Sequence, residues 1–177
     1  MDSRSLDLND ILNINLLKEI QNTLSKVTKF TYSAIDFKGN SINDCYNMCK
    51  FCKRMINTPK GRILCHAAIV NAAMQASSSQ KPYIFICHAG LLEVVFPIIV
   101  NDNYVGAITF GKVRTKNDKL KRTENLNCNF KSWVKDPDFL KDFWDTPYID
   151  YDKVEAVISL INIILNESVM KSKLNLM

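Results

Sequence analysis

Between Tyr83 and Val113 the chain runs on a two-residue period through three successive strands, broken at Ala89-Gly90 and again at Asn101-Asp102-Asn103. β-Branched and aromatic residues dominate this stretch. In its middle strand both alternating sets are apolar: Leu92, Val94, Phe96, Ile98 and Val100 on one side, Leu91, Val95 and Ile99 on the other. Such a strand is covered on both faces. Glu93 is the one carboxylate inside the run, and Pro97 lacks a ladder donor, which predicts a bulge or an edge position. The last strand sets Ala107, Thr109 and Gly111 on one face, small enough for a helix, a loop or a small ligand to come close.

Elsewhere the period is helical. Leu8, Ile11, Leu12, Leu16, Leu17, Ile20, Leu24 and Val27 predict a helix over 8–28 capped by Asn9 or Asp10. A strand over 30–37, a turn at Asp36–Asn40 and a short return arm from Ser41-Ile42 make a hairpin. Residues 45–77 are helical, with a turn at 57–61 where Pro59 and Gly61 interrupt. The second of these helices is rich in small residues (Ala67, Ala68, Ala72, Ala73) and suits close packing on a sheet. After a polar stretch from Val113 to Asn129 come Phe130, Trp133, Phe139, Phe143 and Trp144, with Asp136-Pro137-Asp138 as a helix start. Tyr151 to Met170 closes the chain with an amphipathic helix. Its stripe through Val154, Val157, Ile158, Ile161, Ile164, Leu165 and Val169 is wide enough to close a core and also meet a partner helix, so a homodimer through a terminal helix is expected.

Assembled, this is an α+β fold: an antiparallel sheet of about five strands flanked by helices, with a long C-terminal helix. It is expected to be a single domain over 1–177, made of an N-terminal helix (8–28), a core (30–113) and C-terminal helices (133–172). With 47% apolar and 23% charged residues, the composition is that of an ordinary globular chain. No apolar run is long enough to span a bilayer and the first ten residues are polar and acidic, so a cytoplasmic location is expected. The net charge of +5 is modest. Its densest basic run, Lys112 to Arg122, has no aromatic residues and reads as a solvated loop, so no direct nucleic-acid contact is expected. There is no GxSxG elbow and no glycine-rich phosphate loop, and no catalytic residues are assigned.

The candidate chemistry lies in the cysteines. In a reducing compartment the six would be thiols, metal ligands or redox groups. Asp44–Cys52 (DCYNMCKFC) spaces three of them in a way that resembles the iron–sulfur motif of radical S-adenosylmethionine enzymes, but this chain is too short and too antiparallel for their partial barrel. Cys45 and Cys49 read as small fillers of a helix interface. Cys52, Cys65 and Cys87 each open or close an element, and with Cys49 as a fourth ligand they are candidates to hold zinc or an iron–sulfur cluster. Cys128, alone in a polar loop, reads as incidental. Alternation sends Cys87 and His88 to opposite faces unless the strand ends there, and His66 beside Cys65 has the same difficulty.

Several segments together resemble the PocR-type sensory domain of bacterial regulators and sensor kinases, a variant of the PAS-like fold. They are IDFKGNSI (Ile35–Ile42), Phe51-Cys52, Pro59 to Gly61 with Cys65, CHAGL (Cys87–Leu91), Pro97-Ile98, Tyr104 to Gly106 and Gly111 to Val113. The resemblance implies a sensor for small hydrocarbon derivatives such as short diols, coupled to a transcriptional or kinase output in a separate domain or partner protein. The recurring cysteines of that family fall on Cys52, Cys65 and Cys87, while Lys112 stands where its members often carry glutamine. A PAS-like sheet encloses a mostly apolar pocket, in which Tyr32, Cys87, Glu93 and Thr109 are the expected ligand-binding groups. Glu93 would accept hydrogen bonds from hydroxyls.

Overall fold

The computed structural model describes residues 14–115 and 129–175. The predicted cap at Asn9 or Asp10, most of the basic run up to Arg122, and Cys128 lie outside them. Helix α1 (Ile14–Thr28) leads into β1 (Thr31–Asp36), followed by helices α2 (Lys50–Asn57) and α3 (Pro59–Ser79). Strands β2 (Tyr83–Ile86), β3 (Leu92–Val100) and β4 (Asn103–Val113) follow. A short 3-10 turn (Asn129–Ser132) and helices α4 (Pro137–Trp144) and α5 (Tyr151–Asn175) complete the chain. The strands form one antiparallel sheet in the order β1-β4-β3-β2. This is the α+β layout the periodicities predict, with the long C-terminal helix.

Four strands take the place of about five because the return arm of the first hairpin pairs only at single points. Ser41 bridges Ile35 and Tyr46 bridges Tyr32. Between them the Asn43 side chain accepts the Ala34 N–H at 2.9 Å, so a side chain occupies a donor that a continuous ladder would use. The turn itself is tight: Asp36 Oδ1 accepts from the N–H groups of Lys38 and Asn40, and Gly39 adopts φ +84°.

Local chemistry fixes the other boundaries. Thr58 caps α3, accepting the Gly61 N–H at 3.0 Å, with Pro59 in the first turn. Asp136 does the same for α4 through the Asp138 N–H, ahead of Pro137. Asn101 and Asp102 join β3 to β4 with φ of 48° and 63°, the left-handed pair that matches the twist of a two-residue hairpin. β2 pairs with β3 only as far as Val95, so Pro97 has a strand on its β4 side and none on the other.

The sheet is covered on both faces. On one, Leu92, Val94, Phe96 and Ile98 of β3 join Tyr32, Ala34, Ile108 and Phe110 under Leu17 of α1 and Val154, Val157, Ile161 and Leu165 of α5. On the other, Ala72, Ala73 and Ala76 of α3 lie on Ile35, Val95 and Ala107. Small residues on both sides of that contact bring the α3 backbone close to the strands. At the end of this second face α2, α4 and the turn after β2 pack a third cluster around Phe51, Met55, Leu91, Phe130, Phe139 and Phe143.

One irregularity positions the site. The register between β3 and β4 shifts at Leu92/Glu93: Glu93 stands opposite Gly111, Leu92 opposite Val113, and Lys112 is the extra residue. Gly111 has φ +120° and a Cβ there would lie 2.7 Å from the Leu92 carbonyl oxygen, so only glycine fits. Lys112 follows in the left-handed region at φ 56°. Strict alternation would send Lys112 to the face of Phe110. The bulge instead turns it to the face of Glu93 and returns Val113 to the α5 side, where it is buried with Leu92.

Candidate functional site

The second face of the sheet carries a buried polar strip. Ser33 and Thr109 stand opposite each other on β1 and β4 with their hydroxyls 2.7 Å apart. Beyond them Lys112 Nζ donates to Glu93 Oε2 at 3.1 Å, the two side chains only 14% and 8% exposed. Burial would depress the Lys112 ammonium, but the Glu93 carboxylate outweighs it and holds the lysine protonated well above the usual lysine range. A buried ion pair is weak evidence for stability, because desolvation offsets most of the attraction. Its presence beside two buried hydroxyls points to recognition of something polar.

The cysteines border this strip. Cys49, Cys52, Cys65 and Cys87 all pack into the cluster around Phe51, and they do so as two neighbourhoods. Cys49 sits at the N-cap of α2 and Cys52 one turn in. The neighbouring Cys52 thiol draws Cys49 down to about 6 against the opposing effect of burial, helped by Thr146, whose hydroxyl donates to Cys49 Sγ at 3.8 Å. Cys49 in turn, with burial, pushes Cys52 well above the usual thiol range.

The second neighbourhood forms because β2 ends at Ile86, which puts Cys87 and His88 in a turn where alternation no longer applies. The turn is closed by the Cys87 N–H on the Leu91 carbonyl at 2.8 Å and the Gly90 N–H on the Cys87 carbonyl at 2.9 Å. His88 Nε2 lies 3.2 Å from Cys65 Sγ on α3. Burial and then Glu93 push Cys65 up to about 11, while burial lowers His88 against the pull of Glu93. The pair is therefore a neutral thiol and imidazole, unlike the thiolate and imidazolium of an activated nucleophile. Among the described residues no three His, Cys, Asp or Glu side chains converge as a metal ion requires. Cys45 is half-buried and His66 is exposed on α3.

Of the expected ligand-binding groups, Glu93, Thr109 and Cys87 share this region. Tyr32 does not: its ring stacks on Phe110 at 5.6 Å on the α1 and α5 face, and its hydroxyl meets Thr28 Oγ1 at 3.3 Å. Strand alternation on β1 puts Ser33 on the strip and Tyr32 on the opposite side. Two members of the strip, Lys112 and Ser33, escape a reading by composition. Gly111 inside a strand is the signal for the first, and the pairing of β1 with β4 fixes the second.

Burial pushes Cys87 up to about 12, with Glu93 adding to it, from an ordinary value of 9.0, and the residue is 6% exposed. Between about pH 9 and 12 the folded chain keeps a proton that the unfolded chain releases, so stability falls as pH rises. Cys87 alone contributes a fall of about 1 kcal/mol from pH 9 to 10, steepening to about 1.4 kcal/mol per pH unit between about pH 10 and 11. Urea unfolding under reductant at stepped pH is expected to show this slope, reduced by that amount in Cys87→Ala. An equal slope in the variant would mean that Cys87 ionises normally.

A sequence profile of the sensory domain found in PocR matches residues 10–173. The chain belongs to this family. It is 30% identical over 164 residues to the regulatory protein PocR of Salmonella typhimurium (strain LT2), an alignment that takes in 93% of this chain. The chain spans about half the length of that relative, 53% of it. No helix among the described residues is long and apolar enough to cross a membrane.

Proposed function

We propose that this chain is a cytoplasmic sensory domain that binds a small hydroxylated organic molecule, a short hydrocarbon derivative such as a diol, against the second face of the sheet. The observation that carries the reading is the Lys112–Glu93 pair on the same face as the Ser33–Thr109 hydroxyls, with Glu93, Ser33 and Thr109 all buried. A diol has two donors and two acceptors on a short apolar frame. Glu93 would accept from one hydroxyl, Lys112 and the Ser33–Thr109 pair would complete the set, and Cys87 with Leu91 would cover the carbon chain.

The signal would leave through α5. Two residues beyond Lys112, the Arg114 N–H donates to the Pro147 carbonyl at 2.8 Å, and its carbonyl accepts from Ile149 at 2.9 Å. Arg114 Nε also donates to the Thr146 carbonyl at 3.0 Å. The bulge that presents Lys112 is thus tied to the segment that starts α5, and a ligand that favours one setting of the bulge would bias the helix. On α5 the side chains of Leu160 (42%) and Ile163 (63%) stay exposed, away from the buried Val154, Val157 and Ile161. They suit a homodimer through this helix, feeding a transcriptional or kinase output in another domain or protein.

A thermal-shift screen of alcohols, diols and polyols tests this. A short diol is expected to raise Tm with saturation, and Glu93→Gln, which keeps the shape but loses the charge, is expected to weaken the half-saturating concentration about tenfold or more. A panel without saturable shifts, or a response unchanged in Glu93→Gln, would remove the site from this face.

A further inference from the structure

We infer that Arg114, Trp144 and Tyr148, with Leu140, form a docking surface for a carboxylate-bearing segment of a partner protein. The inference does not depend on what the strip on the second face binds. The surface exists because the end of β4 runs beside the segment between α4 and α5. Arg114 and Tyr148 form a parallel bridge, and Arg114 Nε donates to the Thr146 carbonyl at 3.0 Å. Those bonds hold the Arg114 side chain against two rings, with its guanidinium carbon 5.2 Å from the centroid of Trp144 and 5.9 Å from that of Tyr148.

Both rings remain in solvent, Trp144 at 59% exposed and Tyr148 at 52%. Leu140, one turn before Trp144 on the same side of α4, is 38% exposed and lengthens the patch. Contiguous exposed apolar side chains rimmed by charge mark interaction sites, whereas scattered ones need no explanation. Tryptophan, tyrosine and arginine are also the residue types that carry most of the binding energy at protein interfaces. Rings that stand out from a helix end suit an opposing protein face, because a small molecule needs enclosure.

The chemistry of the partner follows from Arg114. Among the described residues it makes no ion pair, and its two outer nitrogens donate to no protein acceptor. Asp136, Asp138 and Asp142 of α4 and its cap are all drawn to Arg54 instead. Asp145 and Asp150 flank the segment and are exposed, yet neither pairs with Arg114. Lys135 and Lys141 add exposed positive charge nearby, and the sequence runs on from Arg114 through Lys116, Lys119, Lys121 and Arg122. A planar fork that is stacked in place and unpaired matches the two oxygens of a carboxylate. The occupant is therefore a segment with an Asp or Glu beside an apolar residue, the carboxylate on Arg114 and the apolar group over Trp144 and Leu140. Seated there, it would rest on the tether that joins the bulge to α5.

A displayed library of random linear peptides selected on the wild-type chain tests the assignment, with enriched peptides then synthesised and titrated by fluorescence anisotropy. The expected result is a shared Asp or Glu next to an apolar residue. Binding should weaken about thirtyfold or more in Trp144→Ala. It should weaken about tenfold in Arg114→Lys, which keeps the charge but loses the fork, and as much when the peptide carboxylate is exchanged for its amide. No enriched peptide, a consensus without a carboxylate, or unchanged binding of the amide peptide would overturn the inference. So would sedimentation in which the wild-type chain self-associates and Trp144→Ala does not, since the occupant would then be a second copy of this chain. The amide exchange uses the wild-type chain, so the result stands even if a variant fails to fold.

Discussion

Replacing Lys112 with methionine is expected to cost about 3–5 kcal/mol of folding stability at neutral pH. The side chains are similar in length, so the substitution removes charge with little change in packing. What remains is Glu93, 8% exposed, without its ammonium partner at 3.1 Å. A carboxylate so placed is a buried charge without a partner, and that costs folding free energy. Glu93→Gln combined with Lys112→Met should recover most of the loss, since replacing both partners of a buried pair is often close to neutral. Urea unfolding of the four proteins closes the cycle. A single variant within about 1 kcal/mol of wild type would mean that water reaches Glu93 and that the strip is not enclosed.

The cycle also tests a feature that sequence reasoning reaches only in part. The two-sided β3, the breaks at Asn57–Gly61 and Asn101–Asn103, and the helix start at Asp136 follow from local chemistry, and they appear where the pattern puts them. Cys52, Cys65 and Cys87 do pack into one cluster, but not because each stands at an element end: Cys52 is the third residue of α2, Cys65 lies inside α3, and only Cys87 directly follows the end of a strand. What alternation could not supply was the face of each polar residue. Counting by twos along β4 sends Lys112 away from Glu93, and the bulge that makes Lys112 the extra residue after Gly111 reverses it. For β1 the choice between Tyr32 and Ser33 depends on which face α1 covers, a long-range fact. His88 was set apart from the cysteines by a rule that holds within strands, and β2 stops one residue before Cys87. The return arm after Asn40 fell short of a strand because Asn43 competes for a ladder donor, a side-chain effect that periodicity does not register.

Phe51→Ala is the second large effect, expected to cost about 3–5 kcal/mol. Phe51 is fully buried, and its ring meets three others edge-on: Phe130 at 5.1 Å, Phe143 at 5.2 Å and Phe139 at 5.9 Å between centroids. It sits on α2 between Cys49 and Cys52, whereas two of its partners belong to α4 and the third to the 3-10 turn before it. The ring therefore fastens the cysteine helix to the segment that leads through Thr146 to α5. Removing it empties a space that rings from separate elements cannot easily close, and so the cost should lie at the upper end of the range for large-to-small changes. A double-mutant cycle with Phe143→Ala should return a coupling of about 0.5–1.5 kcal/mol, the share due to edge-to-face contact. The second readout is functional. If α2 and α4 move as one body through this ring, Phe51→Ala should raise amide exchange at Thr146 and in the first turn of α5 well beyond any rise in β1, on the far edge of the sheet. Equal increases in both places would mean that Phe51 supports global stability alone, and that the link from the cysteine helix to α5 does not run through it.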